Sequence, residues 1–217
     1  MVVENVPPFL KSPAWKKLSD QMERRGYEPT VWTLNARHFA VPQNRVRSFT
    51  IFSQLGTPKP PKTSPATVTV REALDNLPPF PEDTIQHVAR PQTAFALERI
   101  RLVPPGGDIR DIAKIRPDLV AKSWFKTDGK IIDIWGRIPW DDVSNTLRTG
   151  FIHPSRGRFL HPEEDRPISF REAARLQTVP DSFHFEGFPG QICRQLGNGV
   201  PLGMGRAVAK SVLATLT

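Results

Sequence analysis

A single cysteine, Cys193, stands in this chain of 217 residues. It has no partner for an internal disulfide, fits a reducing compartment, and rules out a zinc finger or any multi-cysteine metal centre. The histidines (His38, His87, His153, His161 and His184) show no metal-ligand spacing, so no metal site is expected. Apolar runs are only a few residues long, too short for a transmembrane helix. The first residues, Met1-Val2-Val3-Glu4-Asn5-Val6, lack the basic lead and apolar stretch of a secretory signal. No internal repeat is present. The expectation is a cytoplasmic protein with no membrane partner.

What is abundant is positive charge and proline. Lys and Arg number 30 against 22 Asp and Glu, a net charge of +8, and prolines number 23. The sequence pI near 10.1 suits a polyanionic partner without identifying one. With 38% hydrophobic residues the chain can build one large domain or two small ones.

Regular patterning occurs at the two ends. Met1 to Val3 reads as a short strand that delivers Glu4 and Asn5 to its C-terminal end. Ser12 and Pro13 form a helix start, Gly26 suits its left-handed stop, and Trp15, Leu18 and Met22 share one face. Val31–Leu34 and Phe49–Phe52 read as further strands. Thr57 to Lys62 is a stiff Pro-rich connector and a candidate boundary. Beyond it the chain is irregular, with short helices expected at Val70–Leu77 and Gln92–Ile100 and a strand candidate at Ile131–Trp135. Ser169-Phe170-Arg171-Glu172 is a capping box opening a helix through Gln177 that Pro180 ends, and a last helix is expected from Arg206 to Leu216. Gly203 and Gly205 do not form a dinucleotide fingerprint, because no third glycine follows at the right spacing.

Four strings carry chemistry, and their order carries more than any one of them. They are Glu4-Asn5-Val6, Gln43-Asn44-Arg45-Val46-Arg47, the run from Arg166 to Asp181, and Gly197-Asn198-Gly199-Val200-Pro201. In this order they resemble motifs VI, VIII, IX and X of the DNA cytosine-5 methyltransferases. That family flips the target cytosine out of the duplex, adds a cysteine thiolate to ring carbon 6, and methylates carbon 5 from S-adenosyl-L-methionine.

The resemblance implies roles residue by residue. Glu4 would supply a proton or strong hydrogen bond at ring nitrogen 3, where addition builds negative charge. Arg47 would approach the base carbonyl oxygen, and Arg45 a phosphate or the carboxylate pocket. Gln43 is expected among the DNA-binding residues. Asn198, Gly199 and Val200 would lie beside the cofactor. Arg166, Arg171, Glu172 and Arg175 would be scaffold first and DNA contact second. Thr146-Leu147 resembles the Thr-Leu pair of the family's target-recognition domain, and Arg148, His153, Arg156 and Arg158 form a basic cluster suited to phosphate and guanine.

The family's Gly-rich cofactor loop and Pro-Cys nucleophile have no counterpart in these residues. Cys193 follows Ile192 in the run into motif X and reads as an apolar packing residue. The implied fold class is therefore α/β, a partial Rossmann-like methyltransferase sheet with a small irregular recognition domain. The expected divisions are 1–57 (catalytic α/β part), 63–187 (recognition) and 188–217 (motif X and a returning helix). In the family's sheet order of three, two, one, four, five, seven, six, this chain would hold five, seven and six, leaving Met1–Val3 an open edge. The expected partners are double-stranded DNA and an N-terminal methyltransferase subunit carrying the nucleophile. The alternatives are a catalytically empty DNA-binding or regulatory module, or a truncated piece of a full enzyme.

Overall fold

The computed structural model describes residues 1–124 and 133–215. In chain order its elements are β1 (Val2–Asn5), α1 (Pro13–Glu23), β2 (Glu28–Asn35), β3 (Gln43–Asn44), β4 (Val46–Ser53), α2 (Val70–Leu74), α3 (Ala94–Arg101), α4 (Ile109–Ile115), β5 (Ser144–Asn145), α5 (Phe170–Leu176), α6 (Pro189–Asn198) and α7 (Leu202–Leu213). Short 3-10 turns fill several of the connections.

The three long strands form one sheet in the order β1-β4-β2, with β4 antiparallel to both neighbours. Side chains alternate across a strand, so β4 serves two faces. Thr50 accepts a hydrogen bond from Trp15 Nε1 at 3.1 Å, which seats α1 on one face. Phe49 and Ile51 point the other way, into a core with Trp32, Ala36, Phe39 and Val41 that Met204 and Val208 of α7 close. The start of α1 follows from its capping chemistry, since the Ser12 hydroxyl accepts from the Trp15 amide and Pro13 occupies the first turn. Gly26, at φ +79°, makes the turn into β2. Among the described residues β1 pairs with β4 alone, so its other edge is open.

Two further cores lie beyond the connector. One gathers α2, α5 and α6 around Phe151, Phe159, Ile168, Ile192, Cys193 and Leu196. The other holds α3 and α4 around Ile100, Ile109, Ile112, Trp135 and Leu160. Helix α6 buries its apolar face in the core with α2 and α5, while α7 packs on the sheet, so the two helices expected together in 188–217 belong to different cores.

Some element boundaries shift for local reasons. Helix α2 stops at Leu74 because Asp75 leaves the helical region and Asn76 turns left-handed at φ +56°. Helix α5 ends at Leu176, before Pro180 acts, because Thr178 is left-handed at φ +57°. Helix α7 begins at Leu202, a turn before Arg206. Of the strand candidate Ile131–Trp135, Ile131 and Ile132 lie outside the described residues. Asp133–Trp135 is not extended, and Trp135 sits at φ +57°.

The capping box at Ser169 is also the base of a buried ion pair. Glu172, 2% exposed, caps its own helix by accepting from the Ser169 amide at 2.6 Å and receives two Arg166 nitrogens at 2.8 Å each. Burial opposes charge on Glu172, but Arg166 and the Ser169 amide win and hold the carboxyl below the usual range. Arg171, fully buried, donates to the carbonyls of Ile85, Pro180 and Phe183. These side chains are scaffold. A carboxyl with a lowered folded pKa stabilises above its unfolded value and loses that contribution as pH falls through the folded one. Glu172→Gln should therefore cost about 3–5 kcal/mol at neutral pH. In urea melts the gap from the parent should narrow as the pH drops below about 4. A gap that is absent, or that does not change with pH, contradicts the assignment.

Candidate functional site

The sheet brings the first two chemical strings together. Register pairs Glu4 with Phe49 and Asn5 with Ser48, so the end of β1 lies beside the start of β4. There Arg47 Nε stands 3.0 Å from Glu4 Oε1, with the side chains 13% and 23% exposed. Burial pulls Arg47 below the ordinary arginine range, and Glu4 opposes that shift. The pair is a semi-enclosed carboxylate and guanidinium at the end of the sheet, one able to hold a proton and the other only to donate.

Arg45 does something else. It is fully buried and donates to the Leu147 carbonyl at 3.0 Å and the Gly197 carbonyl at 2.9 Å. Its Nε has no partner. Burial lowers its pKa to about 10, with Arg47 adding to the effect and Glu4 opposing it. Of the two expectations for Arg45, contact with a phosphate is corrected, because its guanidinium is bonded to two distant loops inside the protein, and at the carboxylate pocket it is Arg47 that pairs with Glu4, which acts on Arg45 only through space. Gln43 is corrected in the same way. It too is fully buried, donating to the Leu176 carbonyl at 3.1 Å and accepting from the Leu147 amide at 3.0 Å. Leu147, 2% exposed, puts its side chain in the core with α2, α5 and α6, so the side chains of Gln43 and Leu147 have almost no exposed surface.

Thr146 is half-exposed and donates to the Asn44 carbonyl at 2.7 Å. It sits on the wall of a polar cleft of about 220 Å³, with Asn44, Asn145, Asp133, Arg148 and Arg158. Arg158 is consumed by carboxylates, pairing with Asp133 at 2.7 Å and with Asp108. It braces the cleft and is not available to read a base. Arg148 and Arg156 are exposed, and among the described residues neither has a carboxylate within ion-pair distance. Sequence reasoning missed two groups here. Asn145 reaches the cleft through the parallel β3–β5 bridge, and Arg90 contacts His153. No local pattern marks either one, because both depend on long-range packing.

Asn198 is the last residue of α6, and Gly199 and Val200 begin the turn into α7. Asn198 is exposed, Gly199 and Val200 are half-buried, and Val200 packs against the sheet core. A Cβ on Gly199 would meet the Gln195 carbonyl at 2.9 Å, so the tight turn favours glycine. An exposed amide beside a half-buried apolar surface fits the rim of a cofactor site and does not enclose one. Cys193 lies in the core with α2, α5 and α6, 1% exposed, and burial pushes its thiol up to about 11, which makes it a poor nucleophile. Among the described residues no cluster of His, Cys, Asp and Glu is arranged to hold a metal ion, and no helix is long and apolar enough to cross a membrane.

The family model for C-5 cytosine-specific DNA methylases matches residues 1–214. The chain belongs to that family. It is 33% identical to the type II methylase M.HgiDII of Herpetosiphon aurantiacus over 97% of this chain and 63% of that protein. It is 32% identical to the type II methyltransferase M.Eco47II of Escherichia coli over 88% of this chain and 46% of that protein. The methylase chain thus spans about half to two-thirds of the length of these relatives. Its fold resembles a prophage-encoded DNA modification methyltransferase of E. coli, with a TM-score of 0.61 at 22% identity, covering 99% of this chain and 69% of that one. It also resembles the Entamoeba histolytica methyltransferase EhMeth, with a TM-score of 0.62 at 13% identity over 100% of this chain and 62% of that one.

The geometry separates the two arginines of the methylase string by experiment. Arg45→Met strands two buried carbonyls and should cost about 2–5 kcal/mol of unfolding free energy. Arg47→Met breaks a semi-enclosed ion pair but leaves the interior carbonyls bonded, and should cost clearly less than Arg45→Met. Equal losses in denaturant titrations would contradict the division of roles.

Proposed function

We propose that this chain is the DNA-holding half of a cytosine-5 methyltransferase, working in the cytoplasm as the modification partner of a restriction system. The single observation that carries the reading is the Glu4–Arg47 ion pair. Two strings far apart in sequence, matching motifs VI and VIII in type and order, meet at 3.0 Å at the end of one sheet.

In this reading the target cytosine is flipped from double-stranded DNA toward that pair. Glu4 holds a proton at ring nitrogen 3, where it offsets the negative charge that addition at carbon 6 creates. Arg47 fixes the carboxylate and donates to the base carbonyl oxygen, a task suited to a group that cannot lose its charge. Thr146, Arg148 and Arg156 contact the DNA. Gln43, Arg45, Leu147 and Arg158 act from behind by holding those groups in place. Asn198, Gly199 and Val200 border the S-adenosyl-L-methionine site, and that cofactor supplies the methyl group when bound.

The nucleophilic cysteine and the main cofactor loop come from an N-terminal methyltransferase half outside these residues. The open edge of β1 is the place for its next strand, because unpaired amides and carbonyls there invite strand addition. The expected assembly is a heterodimer when that half is a separate subunit.

Transfer of a labelled methyl group to duplex DNA tests the proposal. The chain alone should transfer none, and the chain mixed with an N-terminal half bearing the Pro-Cys motif should methylate carbon 5 of cytosine. In the mixture Glu4→Gln should slow transfer by about 10²-fold or more. Cys193→Ala should leave it near the parent rate. Transfer by the lone chain, or loss of activity in a folded Cys193→Ala variant, overturns the reading.

A further inference from the structure

Residues 147–157 form a short loop built on buried apolar anchors. Leu147, Phe151, Ile152 and Pro154 are buried, and three turn hydrogen bonds stiffen the backbone between them: Phe151 to Arg148, His153 to Gly150 and Arg156 to His153. The Trp135 amide donates to the Pro154 carbonyl from outside the loop. What the loop shows to solvent is Arg148, Thr149, Ser155 and Arg156, with His153 half-exposed.

Arg90 approaches from another part of the chain. Its neighbourhood is fixed to the start of α5, where the Phe170 amide donates to the Val88 carbonyl and the Arg171 amide to the Gln86 carbonyl. Arg90 Nη1 stands 2.6 Å from His153 Nδ1 and 3.0 Å from Nε2. A guanidinium only donates and a neutral imidazole has a single acceptor nitrogen, so one of the two ring nitrogens accepts from Arg90 and the other carries the proton. The charged groups acting on His153 are Arg90 and Arg156, both cationic, and no carboxylate among the described residues pairs with either arginine. Several arginines elsewhere in this basic protein are matched with acids, as Arg71, Arg116, Arg158 and Arg175 are. Arg90 lies against the imidazole, and Arg156, whose amide donates to the His153 carbonyl, puts a second cation on the same short turn, so this surface presents positive charge without a counter-charge among the described residues.

We propose that Arg90, His153 and Arg156 form one phosphate-binding site for the DNA backbone, and that its occupation takes up a proton at His153. The inference rests on the DNA-holding role proposed above and adds a site and a linkage to it. When a phosphodiester arrives, Arg90 and Arg156 donate to its oxygens, and the imidazole, relieved of repulsion, becomes a third cationic donor. Burial and the two arginines hold the free histidine below its usual pKa, in agreement with this geometry. A neighbouring anion raises the pKa in the complex. The sign follows: affinity is flat at high pH and increases as pH falls toward and below the ordinary histidine value of about 6.5. One proton gives at most about tenfold per pH unit. Backbone contact carries no sequence information, so the effect should appear with any duplex.

The test is anisotropy of a labelled 20-base-pair duplex with the full chain, from pH 8.5 to 5.5 at constant ionic strength. The parent should gain affinity several-fold as the pH falls, and His153→Gln should lose that part of the slope. His153→Lys should bind as the acidified parent does across the whole range. Arg90→Met, an exposed substitution, should weaken binding at every pH and reduce the salt slope by about one counterion. Proton NMR of the His153 ring should show its titration move upward when the duplex is added. A parent slope that survives in His153→Gln, or Arg90→Met binding with unchanged salt slope, overturns this site while leaving the DNA-holding role intact. A parent that binds no duplex at any pH overturns both.

Discussion

The ends of the chain are joined by a clamp made by two buried polar side chains, Gln43 and Arg45, with one residue between them. Gln43 and Arg45 together engage Leu147 from both sides, its amide and its carbonyl, and reach on to Leu176 and Gly197. A buried amide and a buried guanidinium cost free energy unless their hydrogen bonds are made, and here the partners are backbone groups that themselves need satisfying. The requirement is mutual, so the geometry is narrow. The β3–β5 bridge and the Thr146 hydroxyl on Asn44 reinforce it. A Cβ on Gly197 would fall 2.5 Å from the Thr149 amide nitrogen, so the backbones pack as closely there as glycine allows.

The clamp explains why neighbouring residues in one string have opposite fates. Alternation in β3 sends Gln43 inward and Asn44 to the cleft, Arg45 is buried in the break between β3 and β4, and Arg47 in β4 meets Glu4. The same stretch of backbone thus fixes the loop at residues 147–157 on one side and the carboxylate on the other. The apolar anchors of the loop then leave its cations to the solvent side. Charge that would be costly in the interior is either paired, as at Arg166 and Arg158, or left outside for an anion.

Much of this was legible in the sequence, for physical reasons. The caps at Ser12 and Ser169 are local devices, and both helices begin where the caps require. The antiparallel β1-β4-β2 order agrees with the order implied by the resemblance for strands five, seven and six. The resemblance brought Glu4 and Arg47 forward as site residues but gave the carboxylate pocket to Arg45, whereas the ion pair with Glu4 is made by Arg47. What was not legible is the sharing out of arginines. Arg45, Arg148, Arg156 and Arg158 look alike in a sequence, yet one is clamped in the interior, one is neutralised by Asp108 and Asp133, and two are exposed. That choice is made by partners up to 152 residues away, as between Arg45 and Gly197. The position of α6 was hidden for the same reason, since its apolar face matches either core and only packing selects one.

Native-state hydrogen exchange at the Leu147 amide tests the clamp most directly. That amide donates to a side chain, Gln43 Oε1, and not to a regular ladder. If the clamp joins the sheet to the core of α2, α5 and α6 as one cooperative unit, Leu147 exchanges with the same opening free energy as Phe49 and Ile51 in β4, and all three fall together in Arg45→Met. Leu147 exchanging through a separate, lower-energy opening while the β4 amides stay protected would contradict the account.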